Sequence, residues 1–142
     1  MNIIFICHGN ICRSVAAEYI AKHLDKEHKH NYISRATSFE EIGNDIYPPM
    51  KQTLRQMGIH FDIHHATRIN QSDYDWADVI LYMDDENKWS LNRIVMDAKG
   101  KIKPIYQYTQ EIYEIEDPWY TRNFQKVVMQ IQKCVTDILK NI

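Results

Sequence analysis

Ile3-Ile4-Phe5-Ile6-Cys7-His8-Gly9-Asn10-Ile11-Cys12-Arg13-Ser14 stands at the front of the chain, and its reading decides the fold. The first four residues form an apolar run with the β-branched content of a strand buried on both faces. The run stops at Cys7 and gives way to a tight loop holding Gly9 and Asn10, residue types that tolerate positive φ. Ser14-Val15-Ala16-Ala17-Glu18 then reads as a helix start. Strand, turn and helix N-terminus together make an anion cradle, because free backbone N–H groups converge there with the positive end of the helix dipole. The cradle carries a thiol at its start and a guanidinium six residues later. A sulfur nucleophile must be a thiolate, and inward-pointing N–H groups with Arg13 would lower its pKa. The same groups suit the three equatorial oxygens of a phosphoryl group in transfer. A bare cysteine at a strand end is ordinarily a small core residue. The run from His8 to Ser14 argues instead for phosphate chemistry at Cys7.

Outward from this loop the chain alternates strand and helix. Ala17, Ile20, Ala21 and Leu24 recur at helical spacing and predict a helix to about His28. Tyr32 to Ala36 reads as a second strand. Pro48 and Pro49, after a Gly43-Asn44-Asp45 turn, suit the first turn of a helix carrying Met50, Leu54 and Met57 and closed by Gly58. Val79 to Met83 is a third strand, and Asp84-Asp85 can cap a helix carrying Trp89, Leu91, Ile94 and Val95. Lys101 to Tyr106 is a fourth strand, interrupted by Pro104 and so expected at an edge. After the polar and aromatic stretch from Gln107 to Tyr120, Phe124, Val127, Ile131, Val135, Ile138 and Ile142 form the stripe of a last helix, with Cys134 beside it in the core. This rhythm predicts an α/β fold with a parallel sheet and helices on both faces. Ligands on such sheets sit beyond the C-terminal strand ends, where the Cys7 loop emerges.

A chain of 142 residues is read as a single domain, 1–142, with enough bulk for a core free of disulfides or metal. Net charge is −2 with acids and bases interleaved, which leaves no electrostatic footprint for nucleic acid. The N-terminal apolar run is too short to span a membrane, and the odd trio Cys7, Cys12 and Cys134 makes no disulfide framework. The expected location is the cytoplasm. No His-Glu-x-x-His pattern and no Walker lysine occur, so neither a metal site nor nucleotide hydrolysis is expected.

Phosphoryl transfer to Cys7 needs an acid for the departing oxygen. Glu116-Asp117-Pro118-Trp119-Tyr120 offers one, because Pro118 fixes a turn and two aromatics beside it could wall a pocket. From the residues alone, a loop acid with aromatics packed on the core is as good a reading.

Cys7-His8-Gly9-Asn10-Ile11-Cys12-Arg13-Ser14 resembles the phosphate-binding loop of the low-molecular-weight protein tyrosine phosphatases. Asp117-Pro118-Trp119-Tyr120 resembles the family's Asp-Pro-aromatic-aromatic motif just before the last helix. Ser34-Arg35-Ala36-Thr37, Gly58-Ile59 with His64 and Ala66, and Met83-Asp84 with Asn87 resemble its middle segments. The resemblance implies a three-layer sandwich on a four-stranded parallel sheet in the order 2-1-3-4. It implies Cys7 as nucleophile, Arg13 as phosphate ligand and Asp117 as general acid and base. His8, Gly9, Asn10, Ile11, Cys12, Arg13 and Ser14 would bind phosphate, with no cofactor. Asn10, Ser14, Ser34 and His64 would hold the loop, with His65 adjacent as the competing histidine. Cys12 would be a redox partner that captures an oxidised Cys7. Ile11, Phe39, Glu40, Trp119 and Tyr120 would form the rim. Glu40 stands where many members have tryptophan, and with Glu41 it would disfavour strongly acidic peptides. Val15 replaces a frequent proline, and Thr67-Arg68 replaces a usual Arg-Gln.

The implied activity is hydrolysis of phosphotyrosine in a protein or peptide, with inorganic phosphate as product. Arsenate reductases with a similar loop use a further cysteine pair in mid-chain, whereas residues 13 to 133 hold no cysteine. Protein-arginine phosphatases tend to carry threonine at the position of Ile11, whose apolar side chain favours an aryl phosphate. A silent phosphotyrosine-binding module would not need Cys7, Arg13 and Asp117 together.

Overall fold

A computed structural model describes residues 1–142. Strand β1 (Asn2–Cys7) leads through the loop into helix α1 (Arg13–Leu24) and strand β2 (Asn31–Ala36). Helices α2 (Pro48–Gln56) and α3 (Gln71–Trp76) precede β3 (Val79–Tyr82), α4 (Asp85–Asn92) and β4 (Ile102–Pro104); α5 (Pro118–Thr121) and α6 (Phe124–Lys140) complete the chain. The strands form one sheet in the order β2-β1-β3-β4, parallel throughout, with β4 at an edge. Phe5 sits opposite Ser34 on one side and Leu81 on the other.

Alternation along β1 divides the core. Ile3, Phe5 and Cys7 join the larger apolar cluster with α1, α2 and α6, while Ile4 and Ile6 join the smaller one with Tyr74, Ala77, Leu91 and Val95. A strand covered on both faces must be apolar throughout, which is why the Ile-Ile-Phe-Ile run has no alternation. No helix is long and apolar enough to cross a membrane.

Several elements differ from the sequence reading, each for a local reason. Helix α1 ends at Leu24 rather than near His28. Asp25 stops it: its carboxylate accepts from the backbone N–H of Lys29 and His30 and from the hydroxyl of Tyr32, turning the chain into β2. Helix α4 stops at Asn92, so Ile94 and Val95 follow it, and Trp89 lies exposed beneath Arg93. Ile142 lies beyond α6, whose stripe from Phe124 to Ile138 is buried. Helices α3 and α5 carry too few apolar residues to show periodicity; α3 is set by an Asn70–Asp73 capping box and α5 by Asp117 at its N-cap. The expected cap of α4 is present, with Asp84 Oδ1 accepting from Asn87 N–H at 2.8 Å. Gly58, at φ +71°, ends α2 in the left-handed conformation that glycine adopts without strain.

Candidate active site

The sheet delivers the cradle at its C-terminal edge. β1 ends at Cys7 and α1 begins at Arg13, so the loop is short and its left-handed turn falls on Asn10, at φ 59°. A non-glycine residue there must be held, and Asn10 is fully buried with every polar group engaged. Its Nδ2 donates to Ser14 Oγ at 2.8 Å, its Oδ1 accepts from Thr67 N–H at 3.1 Å, and its carbonyl accepts from His64 Nε2 at 2.7 Å. A carbonyl can only accept, so the proton of His64 sits on Nε2. Burial pushes the His64 pKa down and favours that neutral ring. His64 is itself placed by Asp45, which accepts its backbone N–H at 3.0 Å, whereas His65 is exposed and faces Gly43 O at 3.4 Å.

These contacts converge on sulfur. Cys7 Sγ lies 3.0 Å from Ser14 Oγ, and the backbone N–H groups of Asn10 and Ser14 point at it from 3.3 and 3.4 Å. Ser14 Oγ accepts from Asn10 and keeps its own proton, which can be donated to the sulfur when the sulfur is ionised. Two backbone N–H groups and one hydroxyl thus converge on the sulfur at the N-terminal end of α1.

Arg13 is buried and tied from two sides. Its Nη1 donates to Asp84 Oδ2 at 2.6 Å and to the carbonyl of Ile115 at 2.9 Å, while Nη2 lies 3.5 Å from Asp117 Oδ2. Burial alone would lower its pKa, but Cys7, Asp84 and Asp117 outweigh that and raise it. With Nη1 taken, Nη2 and Nε are the edge of the fork left for a ligand's oxygens. Ile115 is fixed by its own N–H to Met83 O at 2.9 Å, which docks the segment before Asp117 against the end of β3. Asp117 Oδ1 accepts from Trp119 N–H at 3.0 Å. Glu116 ties the same segment to α6 through Lys126 at 2.7 Å and Asn123 at 3.0 Å.

One cavity, about 520 Å³ including its open mouth, gathers Cys7, His8, Gly9, Ile11, Cys12, Arg13, Glu40, Glu41, Asp117, Trp119 and Tyr120. His8 Nε2 meets Glu40 Oε2 at 3.0 Å on the rim, and the stem of Glu41 lies over Gly9. Asn10 and Ser14 stand behind the loop rather than in the cavity. Two expectations need correction. Ser34 does not reach the loop: its Oγ donates to Glu18 Oε1 at 2.6 Å, because its side of β2 faces α1, and Thr67 supplies a contact to Asn10 from the neighbouring segment. Phe39 does not line the cavity: it is 69 % exposed and lies 4.1 Å from the guanidinium of Arg68, whose Nε donates to Thr37 O. Cys12 is buried, and that burial, then the neighbouring charges of Cys7 and Asp117, push its thiol far up.

The sequence reading found Asp84 as a helix cap but not as the partner of Arg13, and it missed Thr67, Ile115 and Glu116. Their part depends on contacts across the fold, and nothing in their local sequence marks them. No group of histidine, cysteine and carboxylate side chains has the arrangement to hold a metal ion.

A model of the family described as "Low molecular weight phosphotyrosine protein phosphatase" matches residues 2–142. The chain is 32 % identical to a protein of Bacillus subtilis named low molecular weight protein-tyrosine-phosphatase YfkJ, across 100 % of this chain and 96 % of that one. It is 36 % identical to the low molecular weight phosphotyrosine protein phosphatase of Mus musculus, across 98 % of this chain and 94 % of the mouse protein. The crystal structure of Bacillus subtilis YfkJ superimposes with a TM-score of 0.94, covering 100 % of this chain and 94 % of that structure.

Proposed function

The chain belongs to the low molecular weight phosphotyrosine protein phosphatase family, and on that premise we propose that it hydrolyses phosphotyrosine in proteins through a phosphocysteine on Cys7. One observation carries the reading: the sulfur with its three donors, the guanidinium of Arg13 and the carboxyl of Asp117 face a single cavity.

In the first step the Cys7 thiolate attacks phosphorus in line with the departing oxygen, while loop N–H groups and the free edge of Arg13 hold the equatorial oxygens. Asp117, protonated, gives its proton to the leaving phenolate. In the second step water attacks the phosphocysteine with Asp117 as base, releasing inorganic phosphate. Ser14 stabilises the thiolate each time sulfur carries charge. His8, Gly9, Asn10, Ile11, Cys12 and Ser14 shape the loop around the phosphate. The apolar side chain of Ile11, which lines the cavity together with Trp119 and Tyr120, favours an aryl group over the guanidinium of phosphoarginine.

The test is turnover of phosphotyrosine and phosphoarginine peptides in reductant without added metal. Cys7→Ser is expected to abolish hydrolysis. Asp117→Asn is expected to lower kcat/KM on phosphotyrosine by about 10²-fold or more. A Cys7→Ser protein at the parent rate, or an unchanged Asp117→Asn protein, would overturn the mechanism.

The free thiols fit a reducing compartment, and we assign the enzyme to the cytoplasm. Peroxide would oxidise Cys7 to a sulfenic acid, and the Cys12 thiol would condense with it to a disulfide, releasing water.

A further inference from the structure

Cys7 and Asp117 belong to loops 110 residues apart in sequence, and Tyr47, at the N-cap of α2, touches both. Its backbone N–H donates to the carbonyl of Ile11 in the phosphate loop at 2.9 Å. Its ring centroid lies 4.6 Å from that of Trp119 and 6.0 Å from that of Phe124. Its hydroxyl accepts from Arg122 Nη1 at 3.1 Å. Trp119, inside the turn that carries the acid, and Arg122, at its C-cap, are thus both held by Tyr47. Trp119 N–H donates to the Asp117 carboxylate, and Arg122 closes α5 with its own N–H on Pro118 O at 2.9 Å. Arg122 does so in the left-handed region, at φ 64°. A non-glycine residue holds that conformation only when its surroundings fix it, and the guanidinium is fixed over the rings of Tyr47 and Phe124. Tyr47 is half-buried and stands outside the cavity.

We propose that Tyr47 is a positioning residue for the proton-transfer step. Its backbone registers it to the nucleophile's loop, and its ring and hydroxyl hold the Asp117 turn in the same frame. The proposal rests on the reading of Asp117 as general acid. Proton donation matters for a basic leaving group such as phenolate and little for dinitrophenolate, which departs unprotonated. A displaced Asp117 therefore produces a loss that depends on the leaving group, while a general loosening of the fold depresses both substrates alike.

The experiment measures kcat/KM of the wild type, Tyr47→Ala, Tyr47→Phe and Asp117→Asn on phenyl phosphate and on 2,4-dinitrophenyl phosphate. Tyr47→Ala is expected to lower the phenyl-to-dinitrophenyl ratio about tenfold or more, since misplacement by an ångström can cost on the order of 10²-fold. Tyr47→Phe, which keeps the ring, is expected to lower it a few-fold. If the alanine variant does not fold, Tyr47→Phe and Arg122→Ala carry the same test. Losses equal on both substrates, or no loss on either, overturn the proposal. A ratio unchanged in Asp117→Asn overturns the acid assignment itself, and the role of Tyr47 with it. A ratio lowered in Asp117→Asn but not in the Tyr47 and Arg122 variants sinks the proposal alone.

Discussion

Ser14 shows how much chemistry one hydroxyl can carry. It accepts from Asn10 and faces Cys7 Sγ at 3.0 Å, so it links the loop's backbone turn to the sulfur. Replacing it by alanine removes the hydroxyl beside the proposed nucleophile and one acceptor from buried Asn10. Hydrogen bonds to charged groups contribute about 1.5–3 kcal/mol, so Ser14→Ala is expected to lower kcat/KM by roughly 10- to 100-fold. Steady-state kinetics of the variant on an aryl phosphate would read that loss. At this scale the sequence is legible where chemistry is contiguous. Cys7, Arg13 and Ser14 share one loop, and Asp117 is marked by Pro118 and its aromatics. Asp84 was legible only as a helix cap, because its bond to Arg13 spans 71 residues. Ser34 was assigned to the loop by the family resemblance alone, and its bond to Glu18 of α1 is a contact across the fold that no local pattern marks.

Among the elements, the 107–117 segment and the start of α6 are joined by Glu116. Hydrogen bonds from Lys126, then Thr121 and Asn123, bring its pKa down from 4.5 to about 2. A folded-state pKa below the unfolded one gives a contribution that is complete above about pH 4.5 and is lost as pH falls through about 2. The stability gap between wild type and Glu116→Gln should therefore be constant from neutral pH to about 5 and narrow toward pH 2, as thermal unfolding across that series would show. A gap that stayed constant through pH 2 would contradict the assignment. The long helices were legible from periodicity and the central strands from unbroken apolar runs. Helices α3 and α5 were not, because four to six residues with one buried side chain each carry no period, only a cap.

For the whole molecule, the mouth of the cavity has a charge as well as a shape. Glu40 and Glu41 stand on its rim, and Trp119 and Tyr120 also line it. A phosphotyrosine peptide with lysine or arginine beside the phosphorylated residue should be preferred over one with glutamate by about 3- to 10-fold in kcat/KM at low salt. Physiological salt should narrow that preference, and the double change Glu40→Gln with Glu41→Gln should nearly remove it. A peptide preference indifferent to both would show that the rim does not meet the substrate's flanks. The parallel architecture followed from the alternation of strands and helices, and the edge position of β4 from Pro104. The strand order came from the family resemblance, since no local signal orders parallel strands.

Arg13 Nη1 is bonded at once to the cap of α4 and to a main-chain carbonyl of the segment that leads to the acid. The guanidinium proposed to hold the phosphate is thus also a rivet between distant parts of the chain. Heat or a protease that lifts the 107–117 segment would release this rivet while β1, β2 and β3 still hold their ladders. Turnover is then expected to fall before the sheet melts, which a heat ramp following activity and far-UV circular dichroism together would check.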